Sequence, residues 1–401
     1  MVEIQPKEKE ISGRSLGYLG PDGTFTQEAA LAVLGRTGYE DSTLVKYPSI
    51  AEIFAAVQSG DITNAVVPFE NSTAGPVRDT HEGLQEVSEK IKITEEYILP
   101  IVHHLFHRKD TTVGQIEEIR SKDQALMQCE GKLNMLFPNR RLIAIDSTAQ
   151  AVKDASEDPR IAAIGSSRAA KAQNLTSRMT NIPHMEDDPS NATTFVILGG
   201  EKDRSEPTGR DKTTLIITTA NTPGSLYHVL EELVAKGINL TKIKSLRKEK
   251  GRVDFLINID GHSQDTNVAQ TLDALEKDVD RIRLIGSYPR AEYQKPKGRQ
   301  NFNMDRAIRM IKKEVENGDS NDDNAVAVFT LPNTPGALLN ALRPISQSGI
   351  DLTKIDSQPS GVFEEYIFYL AHNTRNVANH ERVMQELADH TDHLVLLPRT
   401  N

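Results

Sequence analysis

The chain has 401 residues, of which 37% are hydrophobic and 26% charged, with a formal net charge of −10 and one cysteine. This composition predicts a soluble globular protein of two or three domains and excludes an intramolecular disulfide. It also argues against nucleic acid and membranes as partners, because phosphate binding needs a basic surface and no apolar run is long enough to span a bilayer. The polar N-terminus, MVEIQPKEKE, lacks the features of a signal or transit peptide, so we expect a cytoplasmic location.

Short apolar runs alternate with helical patterns in residues 15–200. The runs are SLGYLG, LVKYP, NAVVPFE, RLIAID, IAAIGS and TTFVILGG, and helices are predicted from about 26, near 49–59, near 123–135 and near 148–156. Strand–helix alternation is typical of an α/β fold with open sheets. In such sheets ligands bind beyond the carboxyl ends of the strands, where loops lead into helices.

Hydroxyl residues stand at three of the predicted strand-to-helix junctions, in GYLGPDGTFTQEAA, DSTAQA and IGSSRAA. They are Thr24, Thr26, Ser147, Thr148, Ser166 and Ser167. One such residue is an ordinary helix cap, but several helix starts at one edge can together bind anions. We therefore predict a cleft for a polyanionic small molecule.

Three histidines lie close together in HHLFH, residues 103–107. Acidic and cysteine residues do not accompany them at a metal-binding spacing. Adjacent side chains of a strand also point to opposite faces. We therefore predict ordinary strand residues here and no metal site.

The C-terminal half contains an internal repeat. NTPGSLYHVLEELVAKGINLTKIKS begins at Asn221 and NTPGALLNALRPISQSGIDLTKIDS begins at Asn333, an offset of 112 residues. Each copy predicts the order βαββαβ of a ferredoxin-like α+β unit, and two matching copies predict a duplicated domain. The units span 211–291 and 323–401, and a linker over 292–322 contains a short predicted helix at 304–316.

The motifs of residues 15–290 resemble those of the prephenate dehydratase family. GYLGPDGTFTQEAA resembles the family's Gly-x-x-Gly-Thr-Phe-Ser opening and VVPFENSTAGPV its Pro-x-Glu-Asn-Ser-x-x-Gly-x-Val pattern, and STAQAV and AAIGSSRAA follow in the family's order. The resemblance implies a periplasmic-binding-protein-like catalytic domain over 15–203, with α/β lobes at 15–97 plus 179–203 and at 98–178. It also implies ACT domains in the repeat, an amino-acid effector, a homodimer or higher oligomer, and no cofactor.

The resemblance also assigns roles to individual residues. Thr193 matches the family's catalytic threonine, and Glu70, Asn71 and Ser72 complete the expected catalytic set. The residues expected to bind the carboxylates, ketone and hydroxyl of prephenate are Thr24, Phe25, Thr26, Thr73, Ser147, Thr148, Ser166, Ser167, Arg168, Thr194 and Phe195. Those expected to bind the effector are Gly224, Ser225, Leu226 and Tyr227 in the first repeat, and Gly336, Ala337, Leu338, Asp356 and Ser357 in the second.

Three motifs depart from the family pattern. Thr-Arg-Phe is here Thr193-Thr194-Phe195, Ser-His-Pro-Gln is SKDQ (121–124), and Thr-Leu-Asp is THE (80–82). Losing an arginine removes a bidentate carboxylate partner. Arg168 either supplies the missing positive charge or is a helix-surface residue. These changes favour a non-aromatising prephenate decarboxylase of specialised metabolism, such as antibiotic biosynthesis. The retained Thr193 favours the alternative, a dehydratase that makes phenylpyruvate, and a non-catalytic amino-acid sensor is the third possibility.

Overall fold

The computed structural model describes residues 13–249, 251–292, 308, 311, 324–350, 352–359, 366–373 and 380–397. The chain forms two compact units. The first comprises Met1–Phe69, Glu86–Ile91 and Tyr97–Asp203, and the second comprises Glu70–Gln85, Lys92–Glu96 and Arg204–Asn401. Residues 70–85 and 92–96, which the sequence places in the catalytic domain, therefore group with the C-terminal part of the chain. No helix in the described ranges is long and apolar enough to cross a membrane.

The N-terminal half of the chain builds two sheets. Their strands are β1 (Ser15–Leu19), β2 (Thr43–Tyr47), β3 (Asn64–Asn71), β4 (Gly75–Pro76), β5 (Ile91–Pro100), β6 (His104–Arg108), β7 (Glu118–Ser121), β8 (Arg141–Ala144), β9 (Ile161–Gly165), β10 (Met179–Ile182) and β11 (Ala192–Gly200). One sheet has the order β2-β1-β3-β11-β5, with β4 paired to β3, and the other has the order β10-β6-β9-β7-β8. This is the two-lobed α/β architecture that the resemblance implied. Because β10 pairs with β6, residues 179–182 belong to the second sheet and not to the lobe at 15–97.

The helices follow the predicted order. They are α1 (Phe25–Leu34), α2 (Ile50–Ser59), α3 (Arg78–Glu86), α4 (Asp123–Gln128), α5 (Glu130–Leu136), α6 (Thr148–Glu157) and α7 (Ser167–Ala172). The helix predicted over 123–135 is two helices, because the chain leaves the helical conformation at Cys129 (φ −115°, ψ 2°). On the first sheet, Leu16, Val66 and Phe195 pack in one apolar core with residues of α1.

The second unit contains an eight-stranded sheet built by the two repeats. Its elements are β12 (Asp211–Ala220), α8 (Ser225–Ala235), β13 (Leu240–Glu249), β14 (Arg252–Asp260), α9 (Thr266–Asp278), β15 (Arg281–Pro289), β16 (Asn324–Thr330), α10 (Ala337–Ser348), β17 (Leu352–Pro359), β18 (Tyr366–Asn373), α11 (His380–Ala388) and β19 (His393–Leu397). Each repeat has the order βαββαβ, as predicted, and the strand order is β15-β12-β14-β13-β17-β18-β16-β19. The predicted helix at 304–316 lies outside the described residues except for positions 308 and 311, which are helical.

The two repeats join at the edges of β13 and β17 through two serines that occupy equivalent repeat positions. Ser245 Oγ accepts a hydrogen bond from Ile355 N (2.9 Å) and donates one to Ile355 O (2.7 Å). Ser357 Oγ makes the matching bonds with the amide and carbonyl of Ile243, both at 3.0 Å. The edge of each repeat is therefore occupied within one chain. The homodimer stays a prediction.

A buried histidine gives the second repeat a pH-dependent stability. His372 is fully buried on β18, its Nε2 lies 2.8 Å from Nε2 of His380, and burial, followed by the neighbouring His380, lowers its pKa to about 4. A depressed histidine pKa favours the neutral, folded form, so this stability is complete above about pH 6.5 and is lost as the pH falls towards 4. We expect the loss to reach about 3 kcal/mol at pH 4.

The measurement is the free energy of unfolding of this repeat, followed by hydrogen exchange at several pH values. In a His372→Asn protein the fall between pH 6.5 and 4 should be markedly smaller than in the wild type. His390→Asn, which removes an exposed histidine just beyond α11, is the matched control and should keep the wild-type slope. If the free energy of unfolding of His372→Asn falls with pH as steeply as that of the wild type, His372 is not the source of the pH dependence.

Candidate functional site

Two of the predicted anion-binding loops meet in the first unit. Ser166 Oγ donates a hydrogen bond to the carbonyl of Gly23 (2.8 Å) and accepts one from the amide of Ala169 (3.1 Å). Gly23 has φ +85°, and a Cβ at this position would lie 2.8 Å from Cα of Ala169. Only glycine fits such a close backbone approach at positive φ. Ser166 has donated its only proton, so it fixes the loop before α1 against α7.

Two of the other predicted hydroxyls, Thr24 and Ser147, also cap helices. Thr24 Oγ1 accepts from the amide of Gln27 (3.2 Å) at the start of α1, and the side chain of Gln27 accepts in return from the amide of Gly23 (2.8 Å). Ser147 Oγ accepts from the amides of Ala149 and Gln150 (3.2 and 3.4 Å) at the start of α6. Helix capping therefore accounts for both hydroxyls, and the backbone N–H groups of the loops remain the candidate anion donors.

Phe25 and Phe195, both predicted to bind substrate, take part in packing. The ring of Phe25 meets the ring of His103 edge-on, with the centroids 5.5 Å apart. Phe195 is 1% exposed in the core of the first sheet, and its expected substrate-binding role stays a prediction. Because side chains alternate along a strand, Thr193 shares the face of Phe195, and Thr194 lies on the opposite face. Thr193 is 8% exposed at the beginning of β11.

Arg168 is the basic residue of the predicted set. It lies in α7, directly after the Ser166 cap, and is half-buried. Its Nε is buried and makes no hydrogen bond to the residues that the structure describes. A buried guanidinium N–H without an acceptor carries a desolvation cost, which a bound anion would offset. No signal in the sequence distinguishes this arginine from a surface residue.

The motif PFENSTAGPV contains a tight turn between β3 and β4, and its residues from Glu70 onward belong to the second unit. Asn71 Oδ1 accepts hydrogen bonds from Thr73 N (3.0 Å), Thr73 Oγ1 (2.9 Å) and Ala74 N (2.8 Å), so the amide oxygen organises the turn. Glu70, Asn71 and Thr73 are all buried, and Ser72 is half-buried. Thr26, Thr148 and Ser167, in contrast, belong to the first unit with Thr193.

The carboxylate of Glu70 is held by residues of the C-terminal repeats. Its Oε1 accepts from Lys242 Nζ at 2.6 Å and its Oε2 from the hydroxyl of Tyr366 at 3.4 Å. Glu70 is 7% exposed and Lys242 1% exposed. Each oxygen of Glu70 is thus engaged by one protein side chain, and the catalytic role expected for Glu70 stays a prediction.

A pocket lies between the two repeats. Residues of the predicted effector motif line it, namely Gly224, Ser225, Leu226 and Tyr227, together with Leu342, Ser346 and Lys354 of the second repeat. The lining residues of the second repeat were not predicted as a set, although Lys354 belongs to the repeated Leu-Thr-Lys-Ile. Gly336, Ala337 and Leu338 are absent from this lining.

Asp356 and Ser357, predicted to bind the effector, are instead junction residues, and both are fully buried. The carboxylate of Asp356 accepts from the amide of Ser245 (2.6 Å) and the hydroxyl of Tyr369 (2.8 Å). Lys244 Nζ lies 3.3 Å away. Ser357 bridges β13 and β17. Asp356 is thus bound by residues of its own sheet, and the effector-binding role expected for it stays a prediction.

Comparisons with known proteins identify the family. The sequence pattern of the family described as prephenate dehydratase matches residues 16–203. A bifunctional chorismate mutase/prephenate dehydratase of Stutzerimonas stutzeri is 35% identical over 69% of this chain and 73% of that protein. A prephenate dehydratase of Mycolicibacterium gilvum is 32% identical over 69% of this chain and 91% of that protein. This chain belongs to the prephenate dehydratase family.

A solved member of the prephenate dehydratase family has a similar fold. The prephenate dehydratase of Arthrobacter aurescens, crystallised in complex with L-Phe, is 28% identical and superposes with a TM-score of 0.63. The similarity covers 75% of this chain and 98% of that protein. About a quarter of this chain therefore has no counterpart in that structure.

The structure shows where the three residues that depart from the prephenate dehydratase pattern lie and how exposed they are. His81 of THE is 1% exposed in α3, and burial, followed by the charges of Lys242 and Lys244, holds its pKa well below the usual range. Its imidazole is therefore neutral. Lys122 of SKDQ stands at the start of α4. Thr194 is half-buried on β11, where family members carry arginine.

The described residues contain no group of three or more histidine, cysteine, aspartate or glutamate side chains that could hold a metal ion. Of the three histidines in HHLFH, His103 contacts Gln128 (Nε2 to Oε1, 2.8 Å) and His104 contacts Asn181 (Nδ1 to Oδ1, 2.7 Å). Burial raises the pKa of the Cys129 thiol, so this cysteine is protonated at neutral pH and is not a nucleophile.

Proposed function

We propose that this protein is a prephenate dehydratase, a lyase that removes the ring hydroxyl as water and the ring carboxylate as carbon dioxide to give phenylpyruvate. The observation that carries the proposal is the family match over residues 16–203 together with Thr193, which matches the family's catalytic threonine and lies at the beginning of β11. The comparisons give no support to the decarboxylase that the sequence favoured, and they favour the dehydratase alternative.

In this proposal Thr193 serves proton transfer, and Arg168 and two loops serve substrate binding. The hydroxyl of Thr193 donates a proton, or orients one, towards the leaving ring hydroxyl while the ring carboxylate departs as carbon dioxide. The electron pair of the broken carbon–carbon bond enters the ring as the carbon–oxygen bond breaks, and the ring becomes aromatic. Arg168 and the N–H groups of the loops before α1 and α6 supply positive charge for the two carboxylates of prephenate.

Product analysis tests the proposal. Purified protein is incubated with prephenate, and the products are separated and identified by mass and ultraviolet absorbance. Phenylpyruvate is the expected product. A non-aromatic product that has lost carbon dioxide and kept its hydroxyl would instead support a decarboxylase, the reading that Thr194 in place of arginine favours. Decay of prephenate no faster than in buffer would exclude both activities under those conditions.

Replacing Arg168 by methionine is expected to raise KM for prephenate by about 10- to 100-fold, the value of a lost charge-assisted hydrogen-bond pair. The effect on kcat should be smaller if Arg168 binds the side-chain carboxylate, which is retained in phenylpyruvate and is present in both the ground state and the transition state. Steady-state kinetics with prephenate measures the effects on KM and on kcat separately.

Lys171→Met is the matched control, because Lys171 lies in the same short helix, α7, with an exposed side chain. Its KM should stay within twofold of the wild-type value. Equal KM values for Arg168→Met and the wild type would exclude a carboxylate-binding role for Arg168.

We propose further that the pocket between the repeats takes an amino-acid effector. Its lining combines apolar side chains, such as Leu226 and Leu342, with the ammonium of Lys354. This combination suits a ligand with an apolar side chain and a carboxylate. The relative from Arthrobacter aurescens was crystallised with L-Phe. Titration calorimetry with L-phenylalanine tests the site, and absence of binding heat up to millimolar concentrations would contradict it.

A further inference from the structure

The ion pair of Glu70 and Lys242 joins the family motif PFENSTAGPV to the C-terminal repeats. Lys242 Nζ lies 2.6 Å from Glu70 Oε1, and the side chains are 1% and 9% exposed. Tyr366 donates to the other oxygen, Oε2, at 3.4 Å. Lys242 belongs to the first repeat and Tyr366 to the second, so each repeat holds one oxygen of the carboxylate.

The repeat supplies an internal comparison for Lys242. Its equivalent 112 residues further on is Lys354, which lines the pocket between the repeats. Lys354 Nζ lies 3.4 Å from Asp356 of its own strand and 5.0 Å from the ring centroid of Tyr369. The second repeat thus provides a carboxylate for its lysine from within the repeat.

The first repeat has no such carboxylate at the equivalent position. Where the second repeat has Asp356, the first has Lys244, whose charge repels that of Lys242. Burial is the main influence that lowers the pKa of Lys242, and the carboxylate of Glu70 opposes it. A buried ammonium needs a charged partner, and Glu70 comes from outside the repeat. The ferredoxin-like unit can fold without this arrangement, as the second repeat shows.

We infer that Lys242 is a positioning residue for the prephenate-binding turn, and that it acts through Glu70. The peptide after Glu70 begins the turn that Asn71 Oδ1 organises with the amides of Thr73 and Ala74. Fixing the carboxylate of Glu70 fixes the direction in which β3 enters this turn. The inference rests on the proposed function and adds to it that this turn, whose motif resembles the family's Pro-x-Glu-Asn-Ser pattern, contributes to prephenate binding.

The test is a double-mutant cycle on KM for prephenate. Lys242→Met removes the ammonium with little change in length and should raise KM about tenfold, since a small displacement of binding groups has effects of this size or larger. kcat should change less than threefold. Glu70→Gln should raise KM to a similar extent, and the double variant should be no worse than Glu70→Gln alone, because both changes break one link.

Lys212→Met is the matched control. Lys212 Nζ lies 2.8 Å from Glu96 Oε2 in the same unit, and both side chains are largely buried (16% and 3% exposed). This variant loses a comparable ion pair away from the turn. It should keep the wild-type KM, and its effect should be independent of Glu70→Gln.

Lys242→Arg keeps the positive charge and should recover part of the affinity for prephenate that Lys242→Met loses. If Lys242→Met folds poorly, the KM of Lys242→Arg still tests the inference.

The outcomes separate the inference from the proposed function. A wild type that does not consume prephenate overturns both. An active wild type with the same KM as Lys242→Met overturns the inference alone. A rise of KM in Lys212→Met equal to that in Lys242→Met also overturns it, because the pair would then act only through stability.

Discussion

Replacing Thr193 by valine is expected to lower kcat for prephenate by about a thousandfold, within the range for loss of a positioned proton donor. Valine has nearly the shape of threonine, so the buried site at the beginning of β11 keeps its packing and loses only the hydroxyl. Because the lost interaction belongs to the transition state, kcat and kcat/KM should fall together, and KM should change little. The appearance of phenylpyruvate under saturating prephenate gives kcat.

Thr180→Val is the control for this experiment. Thr180 is a half-buried threonine of β10 and is not among the proposed site residues. Its kcat should stay within twofold of the wild-type value. If the kcat of Thr193→Val also stayed within twofold of the wild-type value, a chemical role for Thr193 would be excluded. The proton would then have to come from another group.

Local patterns in the sequence predict the elements of this fold well. The order βαββαβ follows from alternating apolar runs, from Pro-Gly turns and from helical spacing in each repeat, and the structure confirms it in both copies. The caps Thr24, Ser147 and Ser166 could also be predicted, because a hydroxyl before an amphipathic segment satisfies the first helical amides. These features depend on neighbours within a few residues.

The partners of buried charges could not be predicted in this way. Glu70 pairs with a lysine 172 residues away in the sequence, and nothing near either residue indicates the other. The motif around Glu70 suggests a substrate ligand, whereas both of its oxygens are bound within the protein. The same limit explains Asp356, whose partners come from β13 and β18 as well as from β17.

The two repeats place equivalent lysines in different surroundings. Lys242 and Lys354 occupy equivalent positions in Leu-Thr-Lys-Ile. One is paired with Glu70 and the other lines the pocket beside Asp356. The difference follows from one charge two residues further on, Lys244 in the first repeat and Asp356 in the second.

Replacing Gly286 by alanine is expected to destabilise the second unit by about 3 kcal/mol, at the upper end for overpacking a filled site. Gly286 lies on β15, and a Cβ there would stand 2.1 Å from the carbonyl oxygen of Ile93 and 2.9 Å from its carbonyl carbon. These atoms belong to the backbone of β5, so no side-chain rotation relieves the contact. The strand segment 92–96 must move away from β15, although Lys92 and Glu96 anchor it through Leu284 and Lys212.

Differential scanning calorimetry measures the effect as a fall in Tm of about 10 °C for the transition of this unit. Gly114→Ala is the matched control, because a Cβ at Gly114 has no neighbour within 4 Å and the residue is not at positive φ. Its Tm should stay within about 2 °C of the wild-type value, the usual range for a surface substitution. If Gly286→Ala melts at the wild-type temperature, β5 and β15 do not approach each other as closely as described. The close backbone approach that groups residues 92–96 with the C-terminal repeats would then be absent.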